Sequence, residues 1–162
     1  MADRTDRIQQ FLSGLFDDER LSKLGLATER IIRVRTREGK DVKGQPFPSA
    51  EDSVQGSPYS RGWYRARQKK GLATDTKNLQ FTLAGGMMRQ MTHRVLTGAD
   101  KGTEVYFQGE RAEQLARYHN VEGVGINKMK HVFFGTSKDE KERIRALFED
   151  DINDLMRDLR LT

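Results

Sequence analysis

The histidines His93, His119 and His131 are the first candidates for acid–base or metal chemistry. They show no H-x-H, H-x-x-x-H or H-E-x-x-H spacing, and a zinc site without thiolates needs at least three converging N or O ligands. The chain has no cysteine. That excludes disulfides, thiolate metal sites and cysteine nucleophiles, and a reducing compartment is expected. Gly39 and Gly44 have the spacing of a phosphate loop, but Gln45-Pro46 follows where Lys and Ser/Thr are required. With no lysine to reach the β- and γ-phosphates, the stretch reads as a turn. Gly123-Val124-Gly125 lacks the third glycine of a dinucleotide fingerprint and does not open a helix after a strand. No G-x-S-x-G elbow occurs, so a serine triad has no sequence support. Asp150, Asp151, Asp154 and Asp158 crowd the last helix, where Asp150 and Asp154 point away from its apolar face and read as solvated. No enzyme activity, metal or cofactor is expected.

The basic residues raise a different chemistry. Lys and Arg number 29 against 24 Asp and Glu, a net charge of +5. Arg30, Arg33 and Arg37 recur at steps of three and four, which returns them to one stripe of a helix. Between Arg61 and Lys70 there are five basic residues and no acid. Such groups neutralise phosphates in a salt-dependent way. A dedicated DNA reader would add a concentrated basic surface and a recognisable reading element, and neither is evident. The expectation is non-specific proximity to DNA, with Arg30, Arg33, Arg37, Lys69 and Lys70 the candidates to face it.

These residues must be held by elements that the apolar pattern predicts. Ile8, Phe11, Leu12, Leu15 and Phe16 fall at helical spacing. Asp17-Asp18-Glu19 then puts acids where a second helix starts, as its positive N-terminal dipole favours. That helix runs from Leu21 to about Arg37, with Leu24, Ala27, Ile31 and Val34 as its apolar stripe. From Lys40 to about Gly62 the chain holds all three prolines and several glycines and serines, and a loop that long is commonly functional or ordered only on binding. A short helical turn over Trp63–Lys70 is stopped by Gly71, and a short helix is predicted within 82–91. His93–Leu96 and Thr103–Phe107 read as an antiparallel hairpin. Glu110–Tyr118 reads as a helix with Leu115 and Tyr118 inward. Ser137-Lys138-Asp139-Glu140 is a capping box, and Ile144, Leu147, Phe148, Ile152, Leu155, Met156 and Leu159 continue a long final helix. The expected class is α+β, a small hairpin-based antiparallel sheet flanked by helices, in one domain over 1–162 with a long loop at about 40–62. No apolar run is long enough to span a bilayer, so no membrane partner is expected, and the first residues lack the apolar stretch of a signal peptide.

The order of segments resembles the phage virion morphogenesis family, the tail-completion proteins of tailed phages. The resemblance rests on Arg33-Val34-Arg35, on Gly39 to Gln45 with Pro46-Phe47, and on Pro58-Tyr59-Ser60 followed by the basic Ala66–Lys70. It continues through Thr82-Leu83-Ala84-Gly85-Gly86-Met87-Met88-Arg89, the hairpin, Tyr118-His119 and Phe133-Phe134-Gly135-Thr136-Ser137. It covers about residues 29–160. Two places depart from it: Asn120-Val121-Glu122-Gly123 stands where the family continues Gln-Phe-Gly, and Met129-Lys130-His131 where it has Met-Pro-x-Arg.

The resemblance implies a structural, non-enzymatic protein of the virion neck or tail, assembled in the bacterial host cytoplasm, that completes the tail and helps filled heads join tails. Implied partners are copies of the chain in a ring, commonly sixfold, other neck and tail proteins, and packaged DNA in the channel. Alternatives are a tail terminator or head-closure ring protein and, from the arginine stripe, a small DNA-binding regulator. The 40–62 loop would order against neighbouring subunits, and Phe47, Tyr59, Trp63, Tyr64, Phe133 and Phe134 are the candidate subunit-interface anchors, since aromatic residues dominate interface energetics.

Overall fold

A computed structural model of the chain describes residues 4–76, 86–124 and 128–161. The architecture is α+β: a two-stranded antiparallel sheet with helices around it and a long C-terminal helix. In chain order the elements are α1 (Arg4–Gly14), α2 (Asp18–Arg37), α3 (Arg61–Lys69), α4 (Gly86–Arg89), β1 (Met91–Leu96), β2 (Gly102–Phe107), α5 (Glu110–Arg117) and α6 (Lys138–Asp158). The helix predicted within 82–91 is seen as α4, and its first part lies outside the described residues. Among the described residues no helix is long and apolar enough to cross a membrane. The chain divides into two compact units, and the division falls inside α2, between Glu29 and Arg30.

The first unit comprises residues up to Glu29, Thr92–Tyr106 and Lys138 onward. The acidic cluster starts α2 as charge predicts. The Asp17 carboxylate accepts the Arg20 N–H at 2.8 Å, an N-cap bond that satisfies one of the orphan donors of the first turn. Arg20 then reaches Asp151 of α6 at 2.8 Å and donates to the Gly14 carbonyl at 2.9 Å. Asp151 is thus an ion-pair partner, whereas Asp150 and Asp154 are exposed as expected. Phe16 meets Phe148 with ring centroids 5.9 Å apart. The hairpin carries an exposed cross-strand pair, Arg94–Glu104 at 2.7 Å. The helical stripes are less buried than their spacing suggests: α1 buries none of its residues, and Leu147 of α6 is half exposed. Apolar side chains left partly in water are ordinary on folded surfaces.

The second unit comprises Arg30–Met91 and Phe107–Ser137. Its core is Ile32, Phe47, Tyr59, Met91, Phe107, Ala112, Ala116 and Phe133. The apolar stripe of α2 is corrected here. The residues buried along the helix are Leu21, Gly25, Ile32, Arg35 and Thr36, while Val34 is exposed. The two sets differ by about one residue step, or some 100° around the helix. α5 likewise turns Ala112 and Ala116 inward and leaves Tyr118 exposed, because small residues permit close approach.

The 40–62 loop closes on its own chain. Asp41 accepts the N–H groups of Lys43 and Gln45, both at 2.8 Å, around Gly44 at φ +77°. Val42 N–H donates to the Val132 carbonyl at 2.7 Å, and Phe47 N–H to the Gly39 carbonyl at 2.8 Å. The phosphate-loop look-alike is therefore a turn whose side-chain acceptor occupies its own donors. A second turn closes through Ala50 N–H to Pro58 and Val54 N–H to Tyr59, at 3.0 and 3.2 Å. These backbone pairings tie the loop to its own chain.

Candidate interaction surface

The residues nominated for DNA and for subunit contact all belong to the second unit. α3 is started by Ser60, whose hydroxyl accepts the Trp63 N–H at 3.4 Å, and ends before Gly71 at φ +65°. Its basic side chains split by face. Arg61, Arg65, Lys69 and Lys70 are exposed. Arg67 is 2% exposed, donates its Nε–H to the Ala73 carbonyl at 2.7 Å, and stacks its guanidinium 4.3 Å from the Tyr59 ring centroid. A buried guanidinium needs its charge met, here by a carbonyl acceptor and a π face.

The arginine stripe of α2 divides in the same way. Arg30 and Arg37 are exposed. Arg33 is partly buried and donates to the Met91 carbonyl. Arg35, which spacing did not single out, is 7% exposed and donates to the carbonyls of Phe133 and of Gly135, the latter at 3.0 Å.

The aromatic candidates are corrected for three of six. Phe47, Tyr59 and Phe133 are 3%, 0% and 0% exposed, so their own chain already covers them and leaves no surface for a partner. Tyr59 gives its hydroxyl to a bond with Thr76 at 2.8 Å. Trp63, Tyr64 and Phe134 are half-buried and keep an accessible face. Trp63 stacks on Tyr59 with centroids 6.2 Å apart and planes 17° from parallel. Phe134 leans on Phe107 at 5.1 Å.

Among the described residues the Phe133–Gly135 segment pairs with no strand, and side chains take up its backbone groups instead. Asn120 accepts the N–H groups of both Phe133 and Phe134 at 2.9 Å, and its amide donates to the Ala116 carbonyl at 2.7 Å. Arg35 holds the carbonyls of the same segment. The segment is clamped from both sides by two residues that the sequence did not nominate. Asn120 lies within the one-turn π-helix Tyr118–Glu122, a wide turn closed by Gly123 N–H to Tyr118 O at 2.7 Å.

Two histidines far apart in sequence meet here. His119 Nδ1 and His131 Nδ1 are 3.4 Å apart, and His131 N–H donates to the His119 carbonyl at 2.8 Å. Burial, and then the neighbouring His131, lowers the His119 pKa to about 4. Burial also lowers His131, against a backbone hydrogen bond at Pro48 that favours its charged form. Both rings are neutral at pH 7 and pack with Phe133 and Phe47, at 6.5 and 5.7 Å. Among the described residues no three His, Asp or Glu side chains gather as a metal site.

What the surface offers is therefore exposed cations (Arg30, Arg37, Arg61, Arg65, Lys69, Lys70) and three part-exposed rings carried by a tightly bonded unit. Set against known protein families, curated proteins and solved structures, the chain gives no significant match.

Proposed function

We propose that the chain is a non-enzymatic structural subunit of a tailed-phage neck or tail, acting in tail completion and head–tail joining through ring assembly around the DNA channel. The observation that carries this reading is a convergence. The separate blocks that resemble the virion morphogenesis family supply Arg35, Phe47, Tyr59, Arg67 and Phe133, which lie together in the buried interior and bonding of one unit. Blocks scattered over about a hundred residues are expected to converge in this way when their order reflects a shared fold. Trp63, Tyr64 and Phe134 then serve as interface anchors, and heterologous contacts repeat until the rotation closes. Deleting the gene from the genome that encodes it should yield filled heads and separate tails. Joined, infectious particles in its absence would remove the reading.

A tail terminator or head-closure ring protein is the same kind of part at another position, and the particle's anatomy separates the two. The DNA-binding regulator is favoured by one observation, the exposure of Arg30, Arg37, Lys69 and Lys70. It requires duplex affinity that falls steeply with salt.

A further inference from the structure

In the first unit, three side chains from α2 and β1 form a relay that no spacing rule announced. Ser22 Oγ lies 3.2 Å from His93 Nε2, and His93 Nδ1 lies 3.1 Å from Glu29 Oε2. Ser22 and Glu29 are seven residues apart on α2, which puts them on one face two turns apart. A carboxylate only accepts, so its position at Nδ1 puts a proton there, and in the neutral ring Nε2 then carries the lone pair on the side of the serine. Ser22 Oγ lies within hydrogen-bond reach of that nitrogen. Thr28, on the same helix, instead bonds back to the Leu24 carbonyl at 2.8 Å, the usual choice for a hydroxyl inside a helix.

The close approach depends on a residue with no side chain. A Cβ at Gly25 would stand 2.5 Å from His93 Cδ2, 2.7 Å from His93 Cγ and 2.5 Å from Thr103 Oγ1. The ring therefore lies directly over the helix backbone, between the two residues that it bridges. His93 and Glu29 side chains keep 18% and 13% of their exposure, and Ser22 is half-buried, so the relay is reachable from solvent.

We propose that Ser22 is an activated nucleophile, with His93 as its general base and Glu29 as the positioning residue, and that it takes an acyl group from small activated carboxylic esters. Nucleophile, base and orienting acid stand in the order and at the separations that this chemistry uses. In the step, Ser22 Oγ bonds to the carbonyl carbon while its proton passes to His93 Nε2. The C–O bond to the leaving group breaks, and that oxygen takes the proton back from His93. The products are an O-acyl serine and a free alcohol or phenol, and water later hydrolyses the ester. Ser22 lies inside α2, so its backbone N–H is committed to the helix and is not offered to a developing oxyanion. Acylation to one equivalent, rather than rapid turnover, is the behaviour this geometry gives. The site is separate from the assembly role of the neck or tail reading; acylation of Ser22 would set aside only the non-enzymatic part of that reading.

The test is incubation of the full chain with p-nitrophenyl acetate, with phenolate release followed by absorbance and the acetyl group located by peptide mass. The expected result is one equivalent of acetyl on Ser22, none there in Ser22→Ala, and a rate lowered about 10²-fold or more in His93→Gln. Glu29→Gln should slow the reaction while moving the His93 ¹⁵N shifts from the Nδ1–H towards the Nε2–H tautomer, a change that a purely structural role would not produce. Because the chain has no cysteine, Ser22→Cys places a single thiol at the site and needs no acyl acceptor chemistry. Its alkylation by iodoacetamide at pH 7 should be about 10-fold faster than in Ser22→Cys/His93→Gln, as a neighbouring imidazole favours thiolate. Acetyl found only on lysines or the N-terminus, or equal alkylation of the two cysteine variants, overturns the proposal.

Discussion

Replacing Gly25 by alanine gives a change whose sign the geometry decides. In an open helix interior, glycine to alanine stabilises by about 1 kcal/mol. Here the new methyl meets two atoms of the His93 ring and the Thr103 hydroxyl at 2.5–2.7 Å, well inside van der Waals contact. Overpacking costs about 1–3 kcal/mol, and three simultaneous collisions point to the upper part of that range. The net loss is about 1–2 kcal/mol. For a chain of this size that lowers Tm by about 2–8 °C. Thermal unfolding followed by circular dichroism measures it directly. Gly25→Ala/Thr103→Ala should recover part of the loss, since one of the colliding atoms is then gone. A Tm equal to or above that of the parent chain would refute the placement of the imidazole over α2, and with it the geometry of the Ser22–His93–Glu29 relay.

Arg67→Ala should destabilise by about 3–5 kcal/mol, because it removes a charge-assisted bond to Ala73 and the cation over Tyr59, and Arg67→Lys should not restore the planar contact; chemical denaturation measures both. For His119 the folded pKa of about 4 lies below the ordinary 6.5, so the unfolded chain binds the extra proton between those values. The stability it gives is fully present above pH 6.5 and is lost as pH falls towards 4, by about 3 kcal/mol in all, and His119→Gln should flatten that part of the stability–pH curve. Reversing Arg30, Arg37, Lys69 and Lys70 to glutamate should leave far-UV circular dichroism and Tm nearly unchanged, since all four are exposed, while weakening retention of duplex DNA at low salt; unchanged retention would show a merely solvated basic face.

Much of the fold was legible because the local signals agree with the packing. The hairpin, the start of α2 at its acids, the end of α3 before Gly71 and the long α6 all follow from turn chemistry, capping and helical spacing. The α2 stripe failed because several of its inward positions are not apolar. Gly25, Arg35 and Thr36 are buried, and each takes its place through close approach or hydrogen bonding that a hydropathy pattern does not register. The aromatic anchors failed for the opposite reason. Phe47, Tyr59 and Phe133 sit in loops and extended segments without periodicity, so nothing local tells a core ring from an exposed one. A clue existed for Arg35: the path from Leu21 through Ile32 in steps of three and four leads to it. The meetings of His119 with His131 and of Ser22 with His93 join residues 12 and 71 positions apart, and only the tertiary fold brings them together.

The central claim is that this chain is a part of a virion whose neighbours complete it. Electron imaging of particles carrying an affinity tag on the chain tests that most directly. The account predicts tag density confined to the head–tail joint or the head-proximal end of the tail, in a closed ring. Infectious particles that contain none of the tagged chain would contradict it.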